Sequence, residues 1–401
     1  MTNSQLDMIN FVLIANPQSR RVDLFQQALR GCGLSMAQLV SYEELLAEKD
    51  SLTDWDGSNA WFRFEAPERN FVVDRGFVAT GAVVDDSGDH QRISATAAYQ
   101  LPEDKGRILY PRQWYLGWRH CLQSWAQPLQ GQVMNHPDNI VSMFDKIRCQ
   151  RILENADIPI PCSLVRKEPI QNYDQLKERM AQQGCRRVFI KLAHGSSASG
   201  VVAYDYRGEN ERAITTVERT MEQGKLRFYN SRKVYQYRNL QHIAEIINFL
   251  AKETIQVEAW MPKARIDGRE FDLRVVVIGG EAKHVVVRVG KSPMTNLHLG
   301  SDRKSITDLP SALTADNWAT MMHTCEQAAA CFPKSLYCGI DLLIAPNFKD
   351  HYVLEVNAFG DLLRGITWQG QDTYTTEIKT LLQQHQGLPY VHASSTHQTE
   401  R

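Results

Sequence analysis

The sequence lacks any apolar run long enough to span a bilayer; its longest, such as residues 275–278, are strand-length, far below the ~20 residues a spanning helix needs. Residues 1–7 contain no Lys or Arg, so the basic start of a secretory signal is missing as well. No excess charge of one sign is present: 45 Lys and Arg stand against 46 Asp and Glu, a formal net charge of −1, which excludes a generally basic nucleic-acid binder. The 8 cysteines are scattered, with no C-x-x-C pair and no His-rich motif beside them, so they read as reduced side chains, mostly in the core, of a cytoplasmic protein. Repeats and low-complexity tracts are absent, apart from a polar tail after Pro389. Aromatic side chains are plentiful: 14 Tyr, 14 Phe and 8 Trp are too many for a disordered chain. A length of 401 residues suffices for about two to three domains.

The chain opens with an apolar run at residues 11–15, broken by Asn16 and Pro17. Val22, Leu24, Phe25, Ala28 and Leu29 then recur at helical spacing until Gly31 and Gly33, so strand, turn and helix form the first half of a βαβ unit. Residues 40–125 read as short strands, at 61–64 and 71–73, alternating with helical stretches. Pro128 and the polar residues 135–139 read as a linker. A helix carries Ile140, Phe144, Ile147, Ile152 and Leu153, and Pro159 and Pro161 force extended backbone after it. A helix near 172–183 follows, then strands at 187–192, 201–204, 254–261, 272–278 and 284–288, a helix over 314–330, and two strands, 339–344 and 352–357, joined near Pro346.

That last pair carries the clearest chemistry. Period-two geometry puts Glu355 and Asn357 on one face of their strand, and Asp341 can face them from the neighbouring strand. Two carboxylates and an amide oxygen make a hard-oxygen set suited to Mg2+; the alternative is an edge strand with solvated acids, which apolar neighbours disfavour. Lys191 ends a strand and adjoins a small-residue loop containing Gly195, Ser196, Ser197 and Gly200. Small residues let backbone N–H groups approach phosphate oxygens while the lysine supplies a point charge, although a connector has the same composition. Val201 and Val202 stand where a Walker motif requires Lys and Ser or Thr, so that motif is excluded. Lys146 sits on a helix, where an Asp-Lys pair alone would be solvated surface. The extended segment Glu258, Ala259, Trp260 could present backbone groups to an adenine edge or be an ordinary buried strand.

In this order, with Asp272, Arg274, Arg288 and Asn296 between them, the pieces resemble the ATP-grasp superfamily over about residues 135–380. The pattern is similar to ribosomal-protein glutamate ligases, to the glutathione-synthetase-like branch and, around residues 134–137 and 144–147, to ligases that crosslink ribosomal peptides. The resemblance implies an α/β fold: an ATP-grasp of two α/β subdomains that clasp ATP, preceded by a Rossmann-like N-terminal domain. The corresponding divisions are 1–125, then 135–260 with a hairpin inserted near 222–240, then 261–385, and a tail over 386–401. It further implies Lys146 and Lys191 on the α- and β-phosphates, the 195–200 loop over the triphosphate, and Glu258, Ala259 and Trp260 against adenine largely through backbone. Asp272 would lie near the nucleotide, Asp341, Glu355 and Asn357 would hold the metal, and Arg288 and Asn296 would serve the γ-phosphate and acyl-phosphate site, with Arg274 completing an Asp-x-Arg pattern. ATP and two Mg2+ ions, with Mn2+ as a substitute, are the implied cofactors. The implied activity is an ADP-forming carboxylate–amine ligase working through an acyl phosphate. Glutamate ligases carry Arg-Ser-Asn where this chain has Met294, Thr295 and Asn296, so a positive charge is missing there.

Residues 225–238 are basic and aromatic and exceed what compact relatives need, which suggests a hairpin that docks an acidic peptide; a solvated hairpin or a homodimer contact is the alternative. His298 either orients substrate or packs, and Asp361 and Arg364 either bind the two ends of an amino acid or pair with each other. The expected partner is a small molecule or peptide with a carboxylate and an amine, without nucleic acid or membrane. Two other readings share the fold: a nucleotide-binding module that does not ligate, and a phosphotransferase.

Overall fold

The structure is a computed structural model that describes residues 9–55, 57, 59–67, 70–84, 91–165, 168–196, 198–208 and 210–385. Ser197 and the polar tail fall outside them. Three sheets organise the chain. The first has the order β2-β1-β3-β4, built from Asn10–Ala15 (β1), Gln38–Ser41 (β2), Ala60–Phe64 (β3) and Gln132–Val133 (β4), and every pairing in it is parallel. A parallel sheet needs both faces covered, and β1 shows it: Phe11, Leu13, Val12 and Ile14 are all buried. Phe11 and Leu13 share a cluster with Phe25 and Leu29 of Arg20–Gly31 (α1), whereas Val12 and Ile14 cluster with residues of the helices on the other face. Between β2 and β4 come helices Tyr42–Leu46 (α2), Phe71–Gly81 (α3), Ala95–Tyr99 (α4) and Pro111–Ala126 (α5).

Three sequence expectations change here. Residues 71–73 are not a strand but the first turn of α3, because Asn70 Oδ1 accepts from the N–H groups of Val72 (3.0 Å) and Val73 (3.2 Å) and so caps a helix. Residues 135–139 are not a linker. Asn135 is buried, donating to Tyr337 O at 3.0 Å, and His136 caps the helix Pro137–Phe144 (α6). The expected helix over 140–153 is also two helices: Asp145 leaves helical geometry (φ −79°, ψ 101°) and caps Lys146–Asn155 (α7) by accepting from Ile147 and Arg148.

The second sheet, order β8-β7-β6-β5-β9, is antiparallel: Arg187–Leu192 (β5), Val202–Arg207 (β6), Asn210–Glu222 (β7), Lys225–Tyr237 (β8) and Ile255–Ala259 (β9). One of its faces packs on Tyr173–Gln182 (α8) and Leu240–Ala251 (α9) in an apolar cluster of its own. The hairpin β7–β8 is longer than expected, running from 210 to 237. A register shift places Val217 opposite Asn230 and Thr215 opposite Tyr235, so residues 231–234 bulge from β8. The edge of β8 is partly covered by the segment before α5: Ile108 N–H donates to Phe228 O (3.0 Å) and Asn230 N–H to Gly106 O (2.6 Å).

The third sheet runs β13-β12-β11-β14-β15, with Arg265–Ile266 (β10) pairing β11 beside that path. Its strands are Arg269–Ile278 (β11), Glu281–Val289 (β12), Asp302–Lys304 (β13), Tyr337–Ile344 (β14) and His351–Asn357 (β15), with the helix Ala315–Ala330 (α10) on one face. On the other face, Thr373–His385 (α11) sets Tyr374, Ile378 and Leu381 among β1, α1 and β11 residues, so the first and third sheets share one core while the second stands apart. No helix among the described residues is long and apolar enough to cross a membrane.

Candidate active site

The third sheet presents a row of charges on one face. Asp341 pairs in register with Glu355 on one side and Arg274 on the other, and Asp272 pairs with Arg288. Arg274 donates to both Asp341 oxygens, Nε at 2.5 Å and Nη2 at 3.1 Å, while Arg288 Nη1 lies 3.1 Å away and its Nε donates to Asp272 at 2.7 Å. Burial alone would push the Asp341 carboxyl up, but the two guanidinium groups hold it well below the usual carboxylate range. Gly339 lies opposite Asn357, whose amide nitrogen donates to Gly339 O at 3.3 Å and so turns its oxygen the other way. Past Glu355 the register slips: Leu342 faces Val353, and the extra residue is Leu354. The bulge turns Leu354 toward a small pocket that it shares with Lys146, Cys149, Ile160, Gln256 and Glu355.

The second sheet supplies the opposing wall. Alternation along β5 sends Val188, Ile190 and Leu192 into the core and leaves Phe189 and Lys191 on the other face. Lys191 Nζ lies 2.5 Å from Glu258 Oε1, and Gln256 donates to the second Glu258 oxygen at 2.8 Å. Burial pulls the Lys191 ammonium pKa down, but the carboxylates of Glu258, Glu355 and Asp341 more than reverse this and raise it. Phe189 and Trp260 pack ring to ring at 5.3 Å beside this pair.

Lys146, the first residue of α7, joins the walls. Its ammonium donates to Glu355 Oε1 (2.5 Å) and to Gly195 O (2.9 Å), and its backbone N–H to Ala193 O (3.1 Å). The root of the 195–200 loop is pinned at the preceding residue. His194 is buried, its ring stacked 4.0 Å from that of Tyr115, with Nε2 3.3 Å from Asp145 and 3.2 Å from Arg112. Burial raises the Asp145 carboxyl and His194 pulls it back, to about 2. Gly200 takes φ +67°, and a Cβ there would meet the Leu192 side chain at 2.6 Å, so this end of the loop requires glycine.

Lys146, Lys191, Glu258, Asp272, Arg274, Arg288, Asp341 and Glu355 are thus linked by direct contacts or by their fields. Asn357 flanks the carboxylate pair, and Gly195 sits on Lys146. Ser196 is exposed on the loop, and Asn296 is half-buried beside Thr295. Two expectations need correction, and one falls outside the described side chains. The N–H groups of Ala259 and Trp260 are occupied by Cys162 O (2.8 Å) and Arg187 O (3.0 Å), so neither donates to a nucleobase in this arrangement. Asp361 does not pair with Arg364 or face a substrate pocket: it is wholly buried against Arg21 and Arg63, and Arg364 is exposed. His298 lies in the turn Leu297–Leu299, and its side chain is outside the description.

Lys263 was not legible in the sequence. It is buried and donates to Asp272 (3.0 Å) and Thr295 (2.7 Å), which tether the 290–300 segment to β11; no spacing rule links a lysine after a proline to a strand nine residues on. His194 and Leu354 were missed for related reasons, since one is defined by a ring from α5 and the other by a bulge.

The sequence matches the family described as YheC/D like ATP-grasp over residues 139–360, and the chain belongs to that family. No curated protein matches it at the sequence level. Among solved structures it is similar to the ATP-grasp ligase PsnB complexed with a minimal precursor (14% identity, 94% of this chain and 99% of that one, TM-score 0.51). It is likewise similar to the macrocyclase MdnC from Microcystis aeruginosa MRC bound with the precursor peptide MdnA (12%, 93% and 99%, TM-score 0.50). A third is D-cycloserine synthetase DcsG (11%, 93% and 99%, TM-score 0.52). These likenesses carry the ATP-grasp fold, which the parallel N-terminal sheet and the two antiparallel sheets display. PsnB has also been solved with Mg and ADP.

Among the described residues no group of three His, Cys, Asp or Glu gathers for a metal. The set at the β14–β15 pair has two carboxylates and one amide oxygen. Those donors are all hard oxygens, and they fit Mg2+, which prefers few protein ligands and completes its shell with water and phosphate.

Proposed function

We propose that the protein is an ADP-forming carboxylate–amine ligase acting on a peptide or amino-acid substrate. The observation that carries this reading is the facing of Asp341 and Glu355 across one strand pair, with Lys146 reaching Glu355 from the helix that also touches the 195–200 loop. Asp341, Glu355 and Asn357 would hold Mg2+, which when bound neutralises phosphate charge and orients the γ-phosphate. Lys146 and Lys191 bind the phosphates, and Gly195, Ser196, Ser197 and Gly200 close over them and exclude water. Phe189, Trp260 and Leu354 offer apolar surface to the base, beside Glu258 and Ala259. A substrate carboxylate attacks the γ-phosphorus and ADP leaves, giving an acyl phosphate. An amine then attacks the acyl carbon, a proton passes to solvent, and phosphate leaves. Arg288, held by Asp272, is aimed at the charge on the transferred group, with Asn296 beside it, and Arg274 orients Asp341.

A peptide acceptor is favoured by the bulge at 231–234, which exposes Arg232 and Lys233, and by the precursor peptides bound to PsnB and MdnC. The test follows ADP and orthophosphate together across amino acids and short acidic peptides. Release of both supports a ligase; ADP without phosphate identifies a phosphotransferase, and neither product identifies a binding module. Reversing Arg232, Lys233 and Arg238 to Glu should raise peptide KM about tenfold or more with ATP KM unchanged, each lost contact being worth about 1 kcal/mol. An unchanged peptide KM assigns the hairpin to another contact, such as a second copy of the chain.

A further inference from the structure

The turn at 357–361, directly after β15, is gripped from two sides. Toward the cleft, Arg274 Nη1 reaches Gly360 O at 3.4 Å, and the same guanidinium holds Asp341. Beneath, Gly360 lies flat on Gly339 of β14: a Cβ on Gly339 would come within 2.6 Å of Gly360 Cα, and one on Gly360 within 2.5 Å of Gly339 Cα. Gly339 is also the residue opposite Asn357. Away from the cleft, the first sheet takes hold of the turn. Arg21 of α1 donates to Phe359 O (2.6 Å) and to Asp361 Oδ1 (2.7 Å), and Arg63 of β3 donates to Asp361 Oδ2 (2.6 Å). Arg63 is in turn fixed by Glu65 (2.6 Å) and by Glu377 of α11 (2.6 Å).

We propose that Arg21 and Arg63 are positioning residues for the carboxylate face of the cleft, acting through Asp361 and the glycine-on-glycine contact of the 357–361 turn. They touch no reacting atom. They set the height of the turn on β14, and with it the reach of Asn357 and the anchor of Arg274 on Asp341. The N-terminal sheet is therefore part of the device that fixes the oxygen donors, in addition to any substrate it carries. The inference rests on the metal reading of Asp341, Glu355 and Asn357.

The experiment titrates Mg2+ against binding of a fluorescent ATP analogue, and against ADP formation, in the full chain and in Arg21→Lys and Asp361→Asn. Arg21→Lys keeps the charge but loses the fork that spans Phe359 O and Asp361. The Mg2+ concentration at half-saturation should rise about tenfold or more in both variants, as when a residue supporting metal ligands is altered. Acceptor KM should stay fixed, and the circular dichroism of Arg21→Lys should match the parent. If Asp361→Asn fails to fold, Arg21→Lys carries the test alone. A folded Arg21→Lys with the parent's Mg2+ dependence overturns the proposal and leaves the ligase reading standing. A parent chain that binds nucleotide with no Mg2+ dependence overturns both.

Discussion

Two clusters of arginines and carboxylates lie on either side of the 357–361 turn, and they differ in how completely they are shut. Arg63, Glu65, Asp361 and Glu377 have side chains 0% exposed, and Arg21 7%. The rings of Phe25, Tyr337 and Tyr374 lie 4.6 to 5.1 Å from the Arg63 guanidinium. In the cleft, Asp341, Lys146, Arg274 and Glu355 are 11%, 13%, 18% and 27% exposed. The same chemical groups therefore do two jobs. Where water and ligand are excluded, the fork of an arginine fixes geometry between layers; where one side stays open, the same pairs would, on the proposed reading, be exchanged for phosphate and metal. The closed cluster is also unbalanced, with three acids to two arginines. Burial holds the Glu377 carboxyl pKa well above its ordinary value, whereas Asp361, pushed up by burial but flanked by both arginines, lies below its own.

The sharpest way to separate the two clusters is to break one acid in each. Glu355→Gln should lower ADP formation by about a thousandfold, because it removes an oxygen donor for the metal and the partner of Lys146, while the melting temperature moves by no more than a few degrees. Near-normal turnover would contradict the site. Arg63→Met should do the reverse, costing about 3–5 kcal/mol in urea denaturation because it strands buried acids, and any activity loss should follow the folded fraction together with a higher Mg2+ requirement. An unchanged denaturation midpoint would remove the claim that this cluster joins the layers. The smallest effect concerns the raised carboxyl of Glu377. A carboxyl whose folded pKa is raised gives stability that is complete below the ordinary carboxyl range and is lost as pH rises through the folded value. Glu377→Gln, which imitates the protonated form, should stay within about 1 kcal/mol of the parent at pH below the ordinary carboxyl range and lose less stability than the parent as pH rises. Parallel pH–stability curves for the two proteins would show that the acid is charged after all.

Much of the fold was legible because strand alternation is a local rule. The apolar run of β1, the alternation of Glu355 and Asn357, and the approach of Asp341 from the next strand follow from period two, and the structure pairs Asp341 with Glu355. The misreading at 71–73 came from judging three apolar residues without the Asn70 cap that makes them helical. Asp361 was placed near a substrate because it follows the strand of Glu355 and Asn357, yet its partners, Arg21 and Arg63, are about 300 residues away in sequence. Lys263 and the Leu354 bulge share that difficulty: tertiary contact, rather than spacing, decides where such side chains point. The occupied N–H groups of Ala259 and Trp260 belong with them, since their acceptors come from Cys162 and Arg187 in other segments.

The short bridge between Lys146 and Glu355 bears on how nucleotide arrives. The resting chain already has its own counter-ion against that acid, so on the proposed reading loading would be a partner swap, with Lys146 released to phosphate and Glu355 to the divalent ion. Nucleotide without metal would tug at the lysine and leave Glu355 uncompensated, and metal without nucleotide would have to evict the lysine with nothing to receive it. On that reading each arrival would be costly alone and favourable together, so the uptake of the two would be mutually dependent.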